Sequence, residues 1–339
     1  MKQSILKIAI LLFAYTANAQ DINFSQFYEM PALRNPALSG IFKGDIRITS
    51  IYRSQWRQLL GQNSTTGVGL ETKSGINEFT DNFYSLGLVV TNDVAGDAKL
   101  GKTQVLPSFA FHKSLSQDRN LFLSAGFMGG IVQQRFDASK LKFDDQFVNG
   151  SYSQTNATRQ TFTNTNTIYW DMTAGLAISG DLGYKYKFYL GAAYSHFNQP
   201  KVAFDRNVDV RLNKKIAVNG GLSANVTDYD QLYIYADYFQ QGGNTVAQGG
   251  MLYKHNLMQQ IEEPNYSISV GVFHRLNDAV IPVVKLDYLK VSVGVTYDIN
   301  ISKLSTAAQL RGGAEVTLSY KTFLNTRNSS LDKVRCPVL

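Results

Sequence analysis

The stretch that decides the fold is LKVSVGVTYDIN, residues 289–300. Every second residue is apolar: Leu289, Val291, Val293, Val295, Tyr297 and Ile299. The residues between them are polar or glycine: Lys290, Ser292, Gly294, Thr296, Asp298 and Asn300. Successive side chains of a β-strand point to opposite faces, so the stretch predicts a strand with one dry face and one wet face. The dry face then packs in the core of a soluble sandwich or lies against lipid.

The same alternation recurs along the chain in about fourteen segments, most of them near the ~9–11 residues that a tilted strand needs to cross a bilayer. The predicted strands are residues 45–53, 64–73, 83–92, 103–113, 120–134, 167–180, 186–197, 213–225, 230–240, 244–254, 265–274, 281–287, 289–300 and 312–323. No amphipathic helix is predicted.

The strand pattern predicts an all-β fold, an antiparallel transmembrane β-barrel of about 14 strands with short periplasmic turns and longer extracellular loops. An even strand number lets the barrel close with both ends on one side, so both termini are expected in the periplasm. Two predicted connectors break the rule, because 241–243 is short on the outer side and 255–264 is long on the inner side.

A secreted β-sandwich is the alternative fold, and it would lack an aromatic girdle. The wet faces use Ser, Thr, Gly, Asn and Tyr more than Lys and Glu, which suits a crowded or wet lumen. A sheet in a bilayer must close, since open edges would leave backbone groups unpaired. We therefore favour lipid as the neighbour of the dry faces.

The chain begins with a pattern typical of a secretory signal peptide. Lys2 and Lys7 flank the start of an apolar region, and Ala17-Asn18-Ala19 has the spacing of a cleavage site. We predict a signal peptide at residues 1–19, cleaved after Ala19. The apolar run is shorter than the ~20 residues of a membrane-spanning helix. The mature protein is expected in the outer membrane, in contact with its lipid.

Three further regions follow the signal peptide. Residues 20–44 are predicted to be an extended, turned segment, because Pro31 and Asn35-Pro36 oppose a helix, and such a segment could plug the lumen. Residues 45–323 form the barrel, and residues 324–339 a periplasmic tail.

The formal charge of +7 is spread along the chain, which argues against nucleic acid as a partner. A single Cys, Cys336, excludes an internal disulfide.

The sequence predicts no enzyme, no cofactor and no metal site. GDAKLGKT, residues 96–103, matches a phosphate-binding loop, but a strand-like stretch with Pro107 follows it instead of a helix. We interpret it as a hairpin loop. The four histidines stand far apart without the spacing of metal ligands.

Several phrases are more specific than strand alternation. The start of the mature chain reads QDINFSQFYEMPALRNPALSGIFKGDIRITSIYRSQW, residues 20–56, and WDMTAGLAI with YLGAAYSHFNQPKVAF follow in the middle. FHRLNDAVIP, VGVTYDINISKL, GGAEVTLSY and Arg335-Cys336-Pro337 complete the set. In this order the phrases resemble the PorP/SprF family of Bacteroidota outer-membrane proteins over nearly the whole mature chain.

The resemblance implies an outer-membrane barrel of the type IX secretion system, which in many members is associated with gliding motility. It implies a secreted adhesin with a C-terminal targeting domain as partner, together with periplasmic or lipoprotein components of the system. The alternative function is an outer-membrane diffusion channel or hydrophobic-compound transporter. A transporter should have a continuous path or an apolar pocket, whereas an adhesin partner should have a blocked lumen and a binding surface at its rim.

Candidate residues for partner binding or for the plug come from these phrases. Asn35 and Pro36 turn the N-terminal segment, and Arg53 with Trp56 lies near the outer end of the first strand. Trp56 is either an interfacial belt residue or an aromatic anchor for a partner, and we favour the belt. The remaining candidates are His196, Asp278, Arg335 and Cys336. The last two lie in the tail and favour a role for it in docking to a partner.

Overall fold

A computed structural model describes residues 21–55, 63–76, 81–116, 120–148, 151–153, 155–156, 158–205, 207–257, 266–302 and 311–324. Within them, fourteen strands form one closed antiparallel barrel. In chain order, β1 to β14 are Ile46–Gln55, Asn63–Gly75, Phe83–Ala95, Leu100–Ser116, Leu121–Arg135, Asn166–Leu182, Tyr186–Ser195, Lys215–Asn225, Asp230–Gln241, Asn244–Asn256, Tyr266–Arg275, Ala279–Tyr288, Val291–Asn300 and Arg311–Thr322.

Each strand pairs with its neighbours in sequence, and the ring closes between β1 and β14, where Ile46 pairs with Thr322. Every predicted strand overlaps one observed strand, which confirms the predicted barrel. The predicted bounds differ from the observed ones by up to three residues. At the start of β13, Leu289 belongs to a two-residue turn, and its φ of 52° is a left-handed value that a regular strand does not use. Residues 96–99 join β3 to β4 as a hairpin rather than leading into a helix.

The barrel is apolar outside and polar inside. In β13, the side chain of Val295 is 50% exposed on the outer face, whereas its neighbour Thr296 is 2% exposed on the inner face. The same division holds for Val293 and Asp298. A soluble sandwich would bury the apolar set, so the dry faces of these strands lie against lipid.

The barrel has two rims, which we name by what they carry. The terminal rim holds the start of β1 and the end of β14, and the loop rim holds the longest connectors, residues 136–165 and 196–214. Outward-facing aromatics mark both rims, with Tyr288 near the terminal rim and Trp170 near the loop rim. The loop rim also carries the two-residue connector 242–243, one of the two predicted exceptions. Among the described residues, no helix is long and apolar enough to span a membrane.

Residues 21–44, which we call the inner segment, lie inside the barrel. Instead of an extended chain they contain three short 3₁₀ helices, Phe27–Glu29, Pro31–Leu33 and Pro36–Leu38. Proline suits the first position of such a turn, because the missing N–H would have no partner there. Most side chains of the segment are buried, including Phe24, Phe27 and Phe42. The barrel therefore has a folded peptide where a porin has water.

Candidate functional site in the barrel lumen

The inner segment is anchored to the wall at Glu315 of β14. The Glu315 carboxylate accepts backbone N–H bonds from Ser25 and from Gln26, both 2.7 Å long. The Ser25 hydroxyl donates to Asp298 of β13 at 2.5 Å. All three acidic and hydroxyl groups are buried, so these bonds are made without competition from bulk water.

Two arginines complete this cluster. Arg53 of β1 donates to Asp298 at 2.7 Å and also to the backbone carbonyl of Asn23. Arg275 of β11 donates to Asp298 at 3.3 Å and to the Ser25 hydroxyl at 3.2 Å. Buried charges are tolerated when opposite charges and hydrogen bonds surround them. Here the opposite charges lie on the wall, and the inner segment supplies several of the hydrogen bonds.

The predicted residue Asp278 lies at the edge of the same cluster. Its carboxylate accepts from Arg275 at 2.9 Å, while its side chain remains 44% exposed. Ser25 and Arg53 come from the opening phrases of the sequence, whereas Arg275, Asp298 and Glu315 come from three separate phrases near its end. Phrases far apart in the chain thus meet at one buried site.

A second contact is made by Asn35, Pro36 and Ala37. The Asn35 side chain donates to the carbonyls of Leu176 and Ala192 at 3.0 and 3.3 Å, and accepts from the Ala37 backbone N–H at 2.9 Å. This last bond caps the third 3₁₀ helix.

The wall beneath this turn is made of glycines on three adjacent strands, Gly126, Gly175 and Gly191. A Cβ at Gly175 would lie 1.9 Å from Asn35 Oδ1, and one at Gly126 would lie 2.4 Å from the Ala37 nitrogen. The lack of side chains is therefore what lets the turn sit directly on the sheet.

Replacing Gly126 by alanine is expected to displace this turn and to cost about 1–3 kcal/mol of stability, because the new methyl meets backbone rather than a flexible side chain. Unfolding in detergent, with proteolysis of the inner segment as a second readout, measures it. Gly220→Ala is the matched control, since the nearest atom to its Cβ would lie 3.9 Å away. Equal behaviour of the two variants would contradict the close approach.

Between these two contacts the segment makes further ion pairs that the sequence did not reveal. Glu29 accepts from Lys285 of β12 at 2.5 Å and from the Ser319 hydroxyl at 2.9 Å. Arg34 pairs with Asp237 of β9 at 2.6 Å. Alternation identified Lys285 and Asp237 only as strand residues, because it carries no information on which distant residue lies opposite.

At the loop rim, Asp21 lies among three cationic groups. Its carboxylate is 2.7 Å from His196 Nε2, 3.1 Å from Lys102 Nζ and 3.4 Å from Lys215 Nζ. The other ring nitrogen of His196 is 2.7 Å from Asp171. We name this group, Asp21 with Lys102, His196 and Lys215, the loop-rim latch.

The His196 ring lies between two carboxylates, so both of its nitrogens are donors and the ring carries a charge. Burial alone would lower the pKa of His196, but Asp21 and the hydrogen bonds to Asp171 and Asp21 raise it to about 9. Burial would likewise raise the pKa of Asp21, but Lys102, His196 and Lys215 outweigh it and hold that pKa well below its usual range.

The stability that protonated His196 contributes should depend on pH. Because its folded pKa is raised from 6.5 to about 9, the contribution is complete below pH 6.5 and is lost as the pH rises through about 9. We expect wild type to exceed His196→Gln by about 2 kcal/mol at pH 6, the scale of a hydrogen bond to a charged group, and by much less at pH 10. Unfolding free energies of both proteins across this range test it, and a constant difference would contradict the charged ring.

Of the predicted site residues, Asn35 and Pro36 belong to the inner segment, and Arg53 donates a hydrogen bond to it at Asn23. His196 belongs to the loop-rim latch. Trp56, Arg335 and Cys336 lie outside the described residues. Among the residues described, no three His, Cys, Asp or Glu side chains are grouped to hold a metal ion. The arrangement as a whole holds a peptide inside a barrel.

A sequence model of one protein family, described as type IX secretion system membrane protein PorP/SprF, matches residues 16–320. No curated protein matches the chain significantly. Among solved structures, the CymD monoaromatic hydrocarbon channel is 10% identical to this chain. The alignment covers 88% of this chain and 92% of the channel, with a TM-score of 0.48. A Pseudomonas aeruginosa FadL homologue is 11% identical, with coverages of 86% and 93% and a TM-score of 0.46. Neither resemblance carries information on ligand or function.

Proposed function

Because the chain belongs to the PorP/SprF family of type IX secretion system membrane proteins, we propose that it is the outer-membrane component that binds a secreted adhesin through the adhesin's C-terminal targeting domain. It supports export or surface anchoring of that adhesin, in adhesion or gliding, and catalyses no reaction. The signal peptide is removed after Ala19, and residues 324–339 face periplasmic or lipoprotein partners.

The observation that supports this proposal is the occupied lumen. The inner segment contacts the wall on β6, β9, β12 and β14 through Asn35, Arg34, Glu29 and the backbone of Ser25. A diffusion channel needs a path through this space, and buried ion pairs hold the segment across it. A barrel filled in this way is better suited to binding a partner at its surface.

The loop rim is the proposed partner surface. Its two long connectors pack against each other through aromatic rings, with the centroids of Phe136 and Phe204 4.8 Å apart and those of Phe136 and Phe162 5.3 Å apart. In the same two connectors Phe147 and Val208 are about half exposed. Aromatic side chains such as these are enriched in protein interfaces.

A photo-crosslinking amino acid at Val208, with Tyr184 in a terminal-rim turn as the control position, tests the proposal. The ligand is the purified C-terminal targeting domain of an adhesin exported by the same cells. We expect crosslinks from position 208 and none from position 184. A barrel that binds no targeting domain but conducts ions or admits hydrophobic compounds would favour the channel instead.

A further inference from the structure

The start of the inner segment lies at the loop rim. Besides the loop-rim latch, the Asp21 backbone N–H donates to Gln241 at 3.2 Å. Gln241 is the last residue of β9 and Lys215 the first of β8, and both of these strand ends belong to the loop rim. Lys102 is the third residue of β4, which also starts there. Contacts from three strands therefore place Asp21 at this end of the lumen.

The other end of the inner segment lies at the terminal rim. The backbone N–H of Asp45 donates to the Thr322 carbonyl at 2.8 Å, and Thr322 is the last residue of β14. The Phe42 carbonyl accepts from Lys73, which lies close to the end of β2 at the same rim. The segment thus runs through the whole lumen, from the loop rim to the terminal rim.

The connectors identify which rim faces outward. In outer-membrane barrels the turns on the periplasmic side are short and the extracellular loops are longer. The connectors 136–165 and 196–214 both belong to the loop rim, whereas the turns 183–185 and 226–229 belong to the terminal rim. The loop rim is therefore the cell-surface side, and β1 starts on the periplasmic side.

We infer that the mature N-terminus is presented at the cell surface, at the mouth of the lumen, where the loop-rim latch holds it. Asp21 is the second residue of the chain that remains after the proposed cleavage behind Ala19, so its position at the mouth marks the N-terminal end. The two ends of the described chain, Asp21 and Leu324, are then on opposite sides of the membrane, because the backbone N–H of Leu324 donates to Asp45 at the terminal rim. This revises the expectation that both termini are periplasmic.

This inference is independent of adhesin binding and adds an element to the partner surface. The N-terminal residues lie in the ring of loops that a partner at the mouth would meet. Asp21 holds this end in place, since its carboxylate pairs with Lys102, Lys215 and the charged His196.

Surface labelling with a membrane-impermeant maleimide on intact cells tests the inference, in a Cys336→Ser background. Ile22→Cys reports on the N-terminal end, Val208→Cys on the outer loops, and Tyr184→Cys, which is fully exposed at the terminal rim, on the periplasm. We expect labelling of positions 22 and 208 on intact cells, and of 184 only after permeabilisation. Asp21→Asn should speed the labelling of position 22 several-fold by opening the latch.

Labelling of position 22 only after permeabilisation would overturn the inference. A short epitope inserted before Asp21 gives a second readout that does not depend on thiol access. Antibody binding to it on intact cells supports the inference, and binding only after permeabilisation overturns it. N-terminal sequencing of the inserted variant verifies that the signal peptide has been removed.

Discussion

Glu315→Ala is expected to release the first part of the inner segment and to destabilise the protein by about 3–5 kcal/mol, the scale for breaking a buried ion pair from one side. The carboxylate of Glu315 accepts both backbone N–H groups of Ser25 and Gln26. Without it these donors and the nearby Arg53 lose an anion inside the barrel. Unfolding in detergent gives the stability, and single-barrel conductance in a planar bilayer reports whether the lumen opens.

Two controls separate the loss of this anchor from a general loss of charge. Glu315→Gln keeps one acceptor oxygen and should lie between wild type and the alanine variant. Asp97→Asn removes an exposed carboxylate from the hairpin between β3 and β4, away from the inner segment, and should behave as wild type. A Glu315→Ala barrel with wild-type stability and no added conductance would show that Glu315 does not hold the segment.

Val295→Arg is expected to cost about 2–4 kcal/mol of stability in a bilayer, the scale for a cation at the middle of the lipid face. Val295 is the fifth residue of the ten in β13 and points outward. Refolding into vesicles at increasing denaturant concentration measures the loss. Val208→Arg, in an outer loop, adds the same charge away from the lipid and should cost little, so equal losses would argue against lipid contact at Val295.

The strands were predictable because two requirements act on every residue of a membrane barrel. Backbone groups in lipid must pair, and each strand has lipid on one face and the lumen on the other. As a result, apolar residues recur at every second position of the sequence, as at Val293, Val295 and Tyr297. Leu289 fits that period but lies in a turn, because strand periodicity does not detect a two-residue reversal of the chain.

The lumen contacts were only partly predictable. Asn35 and Pro36 indicate a turn from local chemistry alone, and that information is available in sequence. The glycines of the wall beneath this turn could not be predicted, because Gly126, Gly175 and Gly191 become neighbours only through the register of three strands. The same holds for Asp298, which the alternation placed on a wet face without revealing that Ser25, 273 residues away, would bind it.

The hydrogen bond between the Gln26 backbone and Glu315 of β14 has a consequence for the order in which the barrel forms. Joining β1 to β14 brings Ile46 to Thr322, 276 residues apart, whereas all other barrel ladders pair strands adjacent in the chain. If Gln26 binds Glu315 first, the loop that this last ladder closes contains only the twenty residues from Gln26 to Ile46 and the seven from Glu315 to Thr322. Loop-closure entropy grows with the logarithm of length, so the shorter circuit lowers the cost of the last ladder by about 2 kcal/mol. A docked peptide would thus guide the first and last strands together, and a chain lacking residues 21–33 should fold with a slower final step.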